Sequence, residues 1–255
     1  MIPLRMEWDK MSKSKLNGVD PTDVVRIHGI ELIRLAVMSN VGPHRARKWQ
    51  EDGVLQGLVK WQNRLLRLVD DVLHWVERLS SEQSSWILLS GPDDPLHHLH
   101  NTRERIIQRV NTYYDESFVL SAVIARLQEL TDLLKQSAMF SGGPGAASFV
   151  HFRSLSDLIV MLAPMAPILA CELWSRLQLA CQMQAAGPAR EALSVLADSS
   201  STIASSSDSW PYDLSKLVLE QPFPQCPTDF QVVSDPLSAR SSSECDEKSV
   251  EKLCT

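Results

Sequence analysis

The chain is 255 residues long, 44% hydrophobic and 22% charged, with a formal net charge of −6. No apolar run approaches the ~20 residues of a membrane-crossing helix, and the opening MIPLRMEWDK lacks the apolar core of a secretory signal. The acidic balance argues against a general polyanion binder, but the charge is unevenly spread. Through Leu79, 13 Lys and Arg stand against 10 Asp and Glu, while the remainder carries 12 against 21. A local basic face for a polyanion therefore stays open.

Along the chain, the first feature is Lys10-Met11-Ser12-Lys13-Ser14, a loop with two ammonium groups, two hydroxyls and no acid. Such a loop suits a polyphosphate: lysine is a compact cation for phosphate oxygens, and each hydroxyl donates a further hydrogen bond. Asn17-Gly18 follows as a turn signal. Asp20-Pro21 then reads as a helix start, with Asp20 the cap and Pro21 at the first helical position. A short helix over 21–28 stops at Gly29. Residues 30–39 are apolar enough for a buried helix or strand, and Val41-Gly42-Pro43 breaks the chain.

Residues 52–79 carry the clearest helical period. Leu55, Leu58, Val59, Leu65, Leu66, Val69, Val72, Leu73, Val76 and Leu79 recur mostly at three- and four-residue steps. A loop over 80–95 leads to a second helix over 96–115, rich in arginine at Arg103, Arg105 and Arg109. A third is expected over 117–136, with Phe118, Val119, Ala122, Val123, Leu127, Leu130, Leu133 and Leu134 inward. A fourth covers 149–162; Pro164 and Pro167 kink or restart it, and 168–179 completes a fifth segment. Four or five amphipathic helices on short loops make an all-α antiparallel bundle. Trp61, Trp75 and Trp174 read as core. The serine-rich 199–209 and the Pro-, Ser- and acid-rich 216–255 read as flexible or disordered.

Five cysteines, Cys171, Cys181, Cys226, Cys245 and Cys254, form no CxxC pair and read as reduced thiols. His97, His98 and His100 cluster without cysteine or carboxylate ligands at metal spacing, so no protein-bound metal is expected.

The run Lys10 to Ser14 resembles the KMSKS signature of class I aminoacyl-tRNA synthetases. Its flank KLNGVDP is similar to that of the leucyl enzymes. So are Ile33-Arg34-Leu35, Trp49, Gly57, the run KWQNRL from Lys60, and LAPMAPILACELW over 162–174. The run around Trp61 looks most like the vertebrate mitochondrial form. The resemblance covers roughly residues 5–215. The family's second signature, HIGH, does not occur in these 255 residues. What is implied is the C-terminal portion of a leucyl-tRNA synthetase: a catalytic-domain remnant over 1–39, an anticodon-binding-type bundle over 40–215, and a tail over 216–255.

The resemblance implies a leucine–tRNA ligase, in which ATP with Mg2+ activates leucine and the leucyl group passes to tRNA(Leu). Lys13 is the prime candidate for stabilising charge on the departing pyrophosphate, with Lys10 assisting. Ser12 and Ser14 would bond phosphate oxygens, and Met11 would anchor the loop. Arg64, Arg67, Arg103, Arg105 and Arg109 are the expected contacts to tRNA phosphates. The expected setting is the mitochondrial matrix, with the cytoplasm as alternative, and the expected state is a monomer, away from membranes and inactive without the family's other domains. The alternative reading is a truncated module that binds tRNA or protein without catalysis.

Overall fold

The computed structural model describes residues 11, 14, 16–39, 49, 51–79, 95–136, 149–183 and 211–225. Within them lie seven helices: α1 (Pro21–His28), α2 (Ile30–Met38), α3 (Gln56–Leu79), α4 (Pro95–Thr112), α5 (Leu120–Gln136), α6 (Phe149–Leu162) and α7 (Pro167–Met183). A π-helical turn, Glu51–Leu55, leads into α3, and another, Tyr113–Ser117, extends α4. No strand occurs among the described residues. The chain is all-α, a helical bundle, as its periodicity predicts.

Local chemistry sets the boundaries. The Asp20 carboxylate accepts from the Thr22 amide at 2.8 Å, with Pro21 at the first helical position. Gly29 ends α1, its amide donating to the Val25 carbonyl, and starts α2 in the same residue. Its φ of 83° and ψ of 149° lie where side-chain-bearing L-residues seldom go. At the other end of the bundle, Phe118 takes a left-handed φ of 50° and closes the turn after α4. α5 therefore begins at Leu120, later than the expected 117, and Phe118 is 68% exposed where the sequence reading had it inward. The left-handed residue turns the chain between two helices, and it swings the ring outward.

The core is built around α6, on which α4, α5, α7 and the short turn Val218–Glu220 all pack. Every residue from Val150 to Ala163 is buried, so this helix has no solvent face. Two serines and an ion pair on it find their partners inside. Ser154 donates to the Val150 carbonyl, Ser156 to the Phe152 carbonyl, and Arg153 to Asp157 one turn on. α3 lies across α7 and α5, burying Leu58, Trp61, Leu65, Leu68 and Val69. Val59, a member of the same periodic set, is 39% exposed. Cys171 is a free thiol, half-buried against this core.

Residues 211–225 run as a strap over the bundle. Trp174 donates from its indole to the Lys216 carbonyl at 3.1 Å, and Asn111 donates to the Pro224 carbonyl at 3.1 Å. Tyr212 stacks edge-on against Trp174, and Phe223 edge-on against Tyr114. Burial pushes the Tyr114 hydroxyl well above its ordinary range, and it donates to the Met161 carbonyl.

Candidate functional site

The basic loop precedes α1. Lys10, Ser12 and Lys13 lie outside the described residues; Met11 and Ser14 are described, and both are exposed. The sequence places the turn at Asn17-Gly18, whereas the left-handed backbone falls at Leu16, with φ 51° and 92% exposure. A bulky residue held there costs of order 1 kcal/mol or more. The described residues of this segment, Met11, Ser14 and Leu16 to Asp20, are exposed, and the segment ends on a capped helix, with Asp23 and Arg26 paired at 3.3 Å on its first turns.

The five candidate arginines separate by burial. Arg67, on α3, is exposed. Arg64, also on α3, is half-buried and paired with Asp132 of α5. Arg105, on α4, is half-buried and reaches Glu129 of α5 at 3.5 Å. Arg109 is half-buried. Arg103 is only 3% exposed. Its guanidinium pairs with Glu104 and lies 3.2 Å from the Asp157 carboxylate. The expectation that Arg103 meets phosphates is corrected here: the side chain is enclosed by the bundle and already balanced by two acids.

Around Asp157 stands a buried polar centre that the sequence reading did not assemble. Asp157 faces Arg103 from α4 and Arg153 from its own helix, and it accepts a hydrogen bond from the Tyr212 hydroxyl. Arg153 also lies over the Tyr212 ring, 5.3 Å from its centroid. Burial, and then the neighbouring Asp157 charge, push the Tyr212 hydroxyl well above its ordinary value. The centre ties α4, α6 and the strap together. His151, two residues before Arg153 on α6, is buried, and its pKa falls from 6.5 to about 4 through loss of hydration. A signal was present for the pair: Arg153 and Asp157 are the two charged residues of a mostly apolar helix and stand four apart, where unpaired charges are excluded.

On the α4–α5 face, a cavity of about 480 Å³ is lined by His98, Arg105, Arg126, Glu129 and Asp132, among others. Arg126 pairs with Glu129 and Arg64 with Asp132, so cations and acids interleave there. No group of three His, Cys, Asp or Glu fit to hold a metal occurs among the described residues. No helix among them is long and apolar enough to cross a membrane.

No family model matches the chain. The chain is 33% identical to the probable mitochondrial leucine–tRNA ligase of Pongo abelii, over 69% of this chain and 19% of that protein. It is 31% identical to the corresponding Mus musculus protein over the same shares. The leucine–tRNA ligase of Syntrophobacter fumaroxidans is 31% identical over 66% of this chain and 20% of its own length. Among solved structures, LeuRS of Agrobacterium radiobacter K84, in a ternary complex with tRNA and LeuAMS, superposes with a TM-score of 0.50 at 28% identity. That match covers 66% of this chain and 20% of the other. By these relatives the chain belongs to the class I aminoacyl-tRNA synthetases. Within that class its kin are the leucine–tRNA ligases, mitochondrial and bacterial, of whose length it spans about a fifth.

Proposed function

We propose that this chain serves leucine activation and transfer to tRNA(Leu), supplying the loop that contacts ATP phosphates and the bundle that supports tRNA. The observation that carries the reading is a basic loop in the sequence, Lys10 to Ser14, set just before a helix capped by Asp20, in a chain whose relatives are leucine–tRNA ligases. In the reaction, a leucine carboxylate oxygen bonds the α-phosphorus of ATP, and the bond to pyrophosphate breaks. Charge gathers on the departing pyrophosphate. A cation placed there speeds the step only by binding the transition state more strongly than ATP itself. Lys13 takes that role, with Lys10 beside it; Ser12 and Ser14 bond phosphate oxygens, and Met11 packs the loop down. Mg2+ arrives as part of the ATP substrate. The leucine pocket and the second class signature come from outside these 255 residues.

In the second step, a terminal ribose hydroxyl of tRNA attacks the leucyl carbonyl and AMP departs. The bundle holds the tRNA body through phosphates. The supporting side chains are Arg67, the most open of the candidates, with Arg64, Arg105 and Arg109. The division into a catalytic remnant over 1–39, the bundle over 40–215 and a tail follows the same reading. The mitochondrial names of two relatives favour the matrix as the setting, and the chain works as a monomer.

The test is leucine-dependent pyrophosphate exchange. The purified chain alone should stay at background. In a full-length leucine–tRNA ligase carrying this segment, Lys13→Ala should slow activation ~10²–10³-fold, the loss of one transition-state charge contact. Clear exchange by the chain alone, or an undiminished Lys13→Ala enzyme, overturns the assignment.

A further inference from the structure

α1 buries one residue, Val24, and packs against α2. Between them stands Gly29 alone, its φ and ψ fixed at 83° and 149°. The placement of α1, and of the exposed segment 16–20 that enters it, therefore follows the placement of α2. Three α2 side chains, Leu32, Leu35 and Ala36, enter the common core. Apolar contacts set how deep a helix sits, but they are not directional. The tilt and rotation of α2 need directional bonds.

Two side chains provide them, one turn apart on α2, and both reach the same short link between α6 and α7. Arg34 donates to the Pro164 carbonyl at 3.4 Å. Glu31 accepts with both carboxylate oxygens, from the Ile168 amide and, at 2.7 Å, from the Leu169 amide. These are first-turn amides of α7, which have no intrahelical acceptor. Pro167, at the start of that helix, has no amide to offer. A cap for α7 is thus supplied by a residue more than 130 positions earlier in the chain. The carboxylate also meets the positive end of the α7 dipole. Arg34 is exposed, so its bond is the weaker of the two.

We propose that Glu31 is a positioning residue that fastens the α1–α2 elbow to the α6–α7 link, so that tRNA held by the bundle is felt at α1. The tRNA part of this rests on the function proposed above; the fastening itself does not. α7 packs on both α3 and α6, so movement of either helix reaches the Glu31 cap without passing through the loop. By reciprocity, a bundle that shifts α1 on binding tRNA must bind tRNA differently when α1 is displaced.

The experiment is amide hydrogen exchange on the full chain, wild type against Glu31→Gln and Arg34→Gln, with and without leucine tRNA. Circular dichroism first establishes that each variant folds. Glu31→Gln keeps one acceptor oxygen but loses the charge, so the cap weakens without creating a void. Without tRNA, exchange at Ile168 and Leu169 should rise about tenfold, as for a lost charge-assisted bond, and exchange across α1 should rise with it. Arg34→Gln should give the same pattern at smaller amplitude. With tRNA, the wild type should gain protection across α1, and Glu31→Gln should lose that gain and, by the same reciprocity, bind tRNA more weakly than the wild type. Faster exchange confined to Ile168 and Leu169 reduces Glu31 to a local cap and overturns the proposal. If the wild type binds no tRNA, the proposed function fails instead, and the tRNA-free comparison still decides the fastening.

Discussion

The Trp61 indole donates to the Thr131 hydroxyl at 2.9 Å, joining α3 to α5 across 70 residues of sequence, with both side chains fully buried. Thr131 in turn donates to the Leu127 carbonyl at 2.7 Å. The hydroxyl proton therefore points along its own helix, and the oxygen lone pairs face the indole. A buried tryptophan needs such an acceptor, and threonine supplies it at little cost in volume.

Thr131→Val should destabilise the chain by about 1–3 kcal/mol, because it leaves the Trp61 indole N–H buried without its partner. Trp61→Phe should also destabilise, by less than the ~3–5 kcal/mol of truncation to alanine, as a large buried side chain is exchanged for a smaller one. The double variant should cost less than the sum, since each single variant loses the same hydrogen bond. Urea denaturation of the three proteins checks this. Strict additivity would mean that the bond carries no coupling.

Asp157→Ala should be far more damaging than its loss of volume suggests. It leaves Arg103 and Arg153 with buried positive charge, the former balanced by Glu104 alone. Breaking one partner of a buried pair costs about 3–5 kcal/mol. Tyr212→Phe, which removes a donor but no charge, should cost only about 1 kcal/mol. A ranking in which Tyr212→Phe equals or exceeds Asp157→Ala contradicts the electrostatic account.

His151 makes stability fall in mild acid. Its folded pKa of about 4 lies below the unfolded 6.5. Between these values the unfolded chain binds a proton that the folded chain refuses, so acidification favours unfolding. The contribution is whole above pH 6.5 and is lost as the pH falls toward 4. At ~1.4 kcal/mol per pH unit, the loss amounts to up to about 3 kcal/mol. Urea midpoints between pH 7 and pH 5 should drop in the wild type, and His151→Asn should flatten that slope. An equal slope in both proteins would assign the acid sensitivity elsewhere.

Exchanging exposed Arg67 and half-buried Arg105 for glutamine should weaken binding of leucine tRNA and of an unrelated tRNA alike. Each lost phosphate contact should lower the salt dependence by about one unit of slope. Arg103→Gln should act through folding: weaker binding should appear only under conditions where the variant is partly unfolded. Filter binding at low and moderate salt, paired with circular dichroism, separates the two. Normal folding with a tRNA defect in Arg103→Gln would return that residue to the interface.

Much of this fold was legible because its signals are local. Asp20-Pro21 announces α1 within two residues, and the three- and four-residue leucine steps announce α3 without reference to anything else. Phe118 was misread because a hydrophobic residue before a helix looks like its first inward position; only the left-handed backbone reveals that it is a hinge. Arg103 was misread for a different reason. Leu99, Arg103, Ile106 and Val110 follow helical steps, so the period itself puts Arg103 on the inward face. What the period cannot show is the acid that makes such burial affordable. Asp157 lies 54 positions onward, on another helix, and Glu31 stands farther still, 137 positions from the first α7 amide it caps. Pairings between distant helices leave no trace in the spacing of either one. The chemistry of the basic loop is in the opposite position: its residue types are fully readable from sequence, and its geometry lies outside the described residues at Lys10, Ser12 and Lys13.

The elbow at Gly29 has a consequence for stereochemistry. Nothing lies within 4 Å of the point where a side-chain carbon would stand there, so the position does not select for smallness. It selects for an achiral α-carbon. A backbone at φ 83° and ψ 149° lies in a region that glycine reaches freely and that a residue carrying a Cβ of its own occupies only under strain. L-alanine at position 29 should therefore bend the elbow open and move the segment ahead of α1 with it.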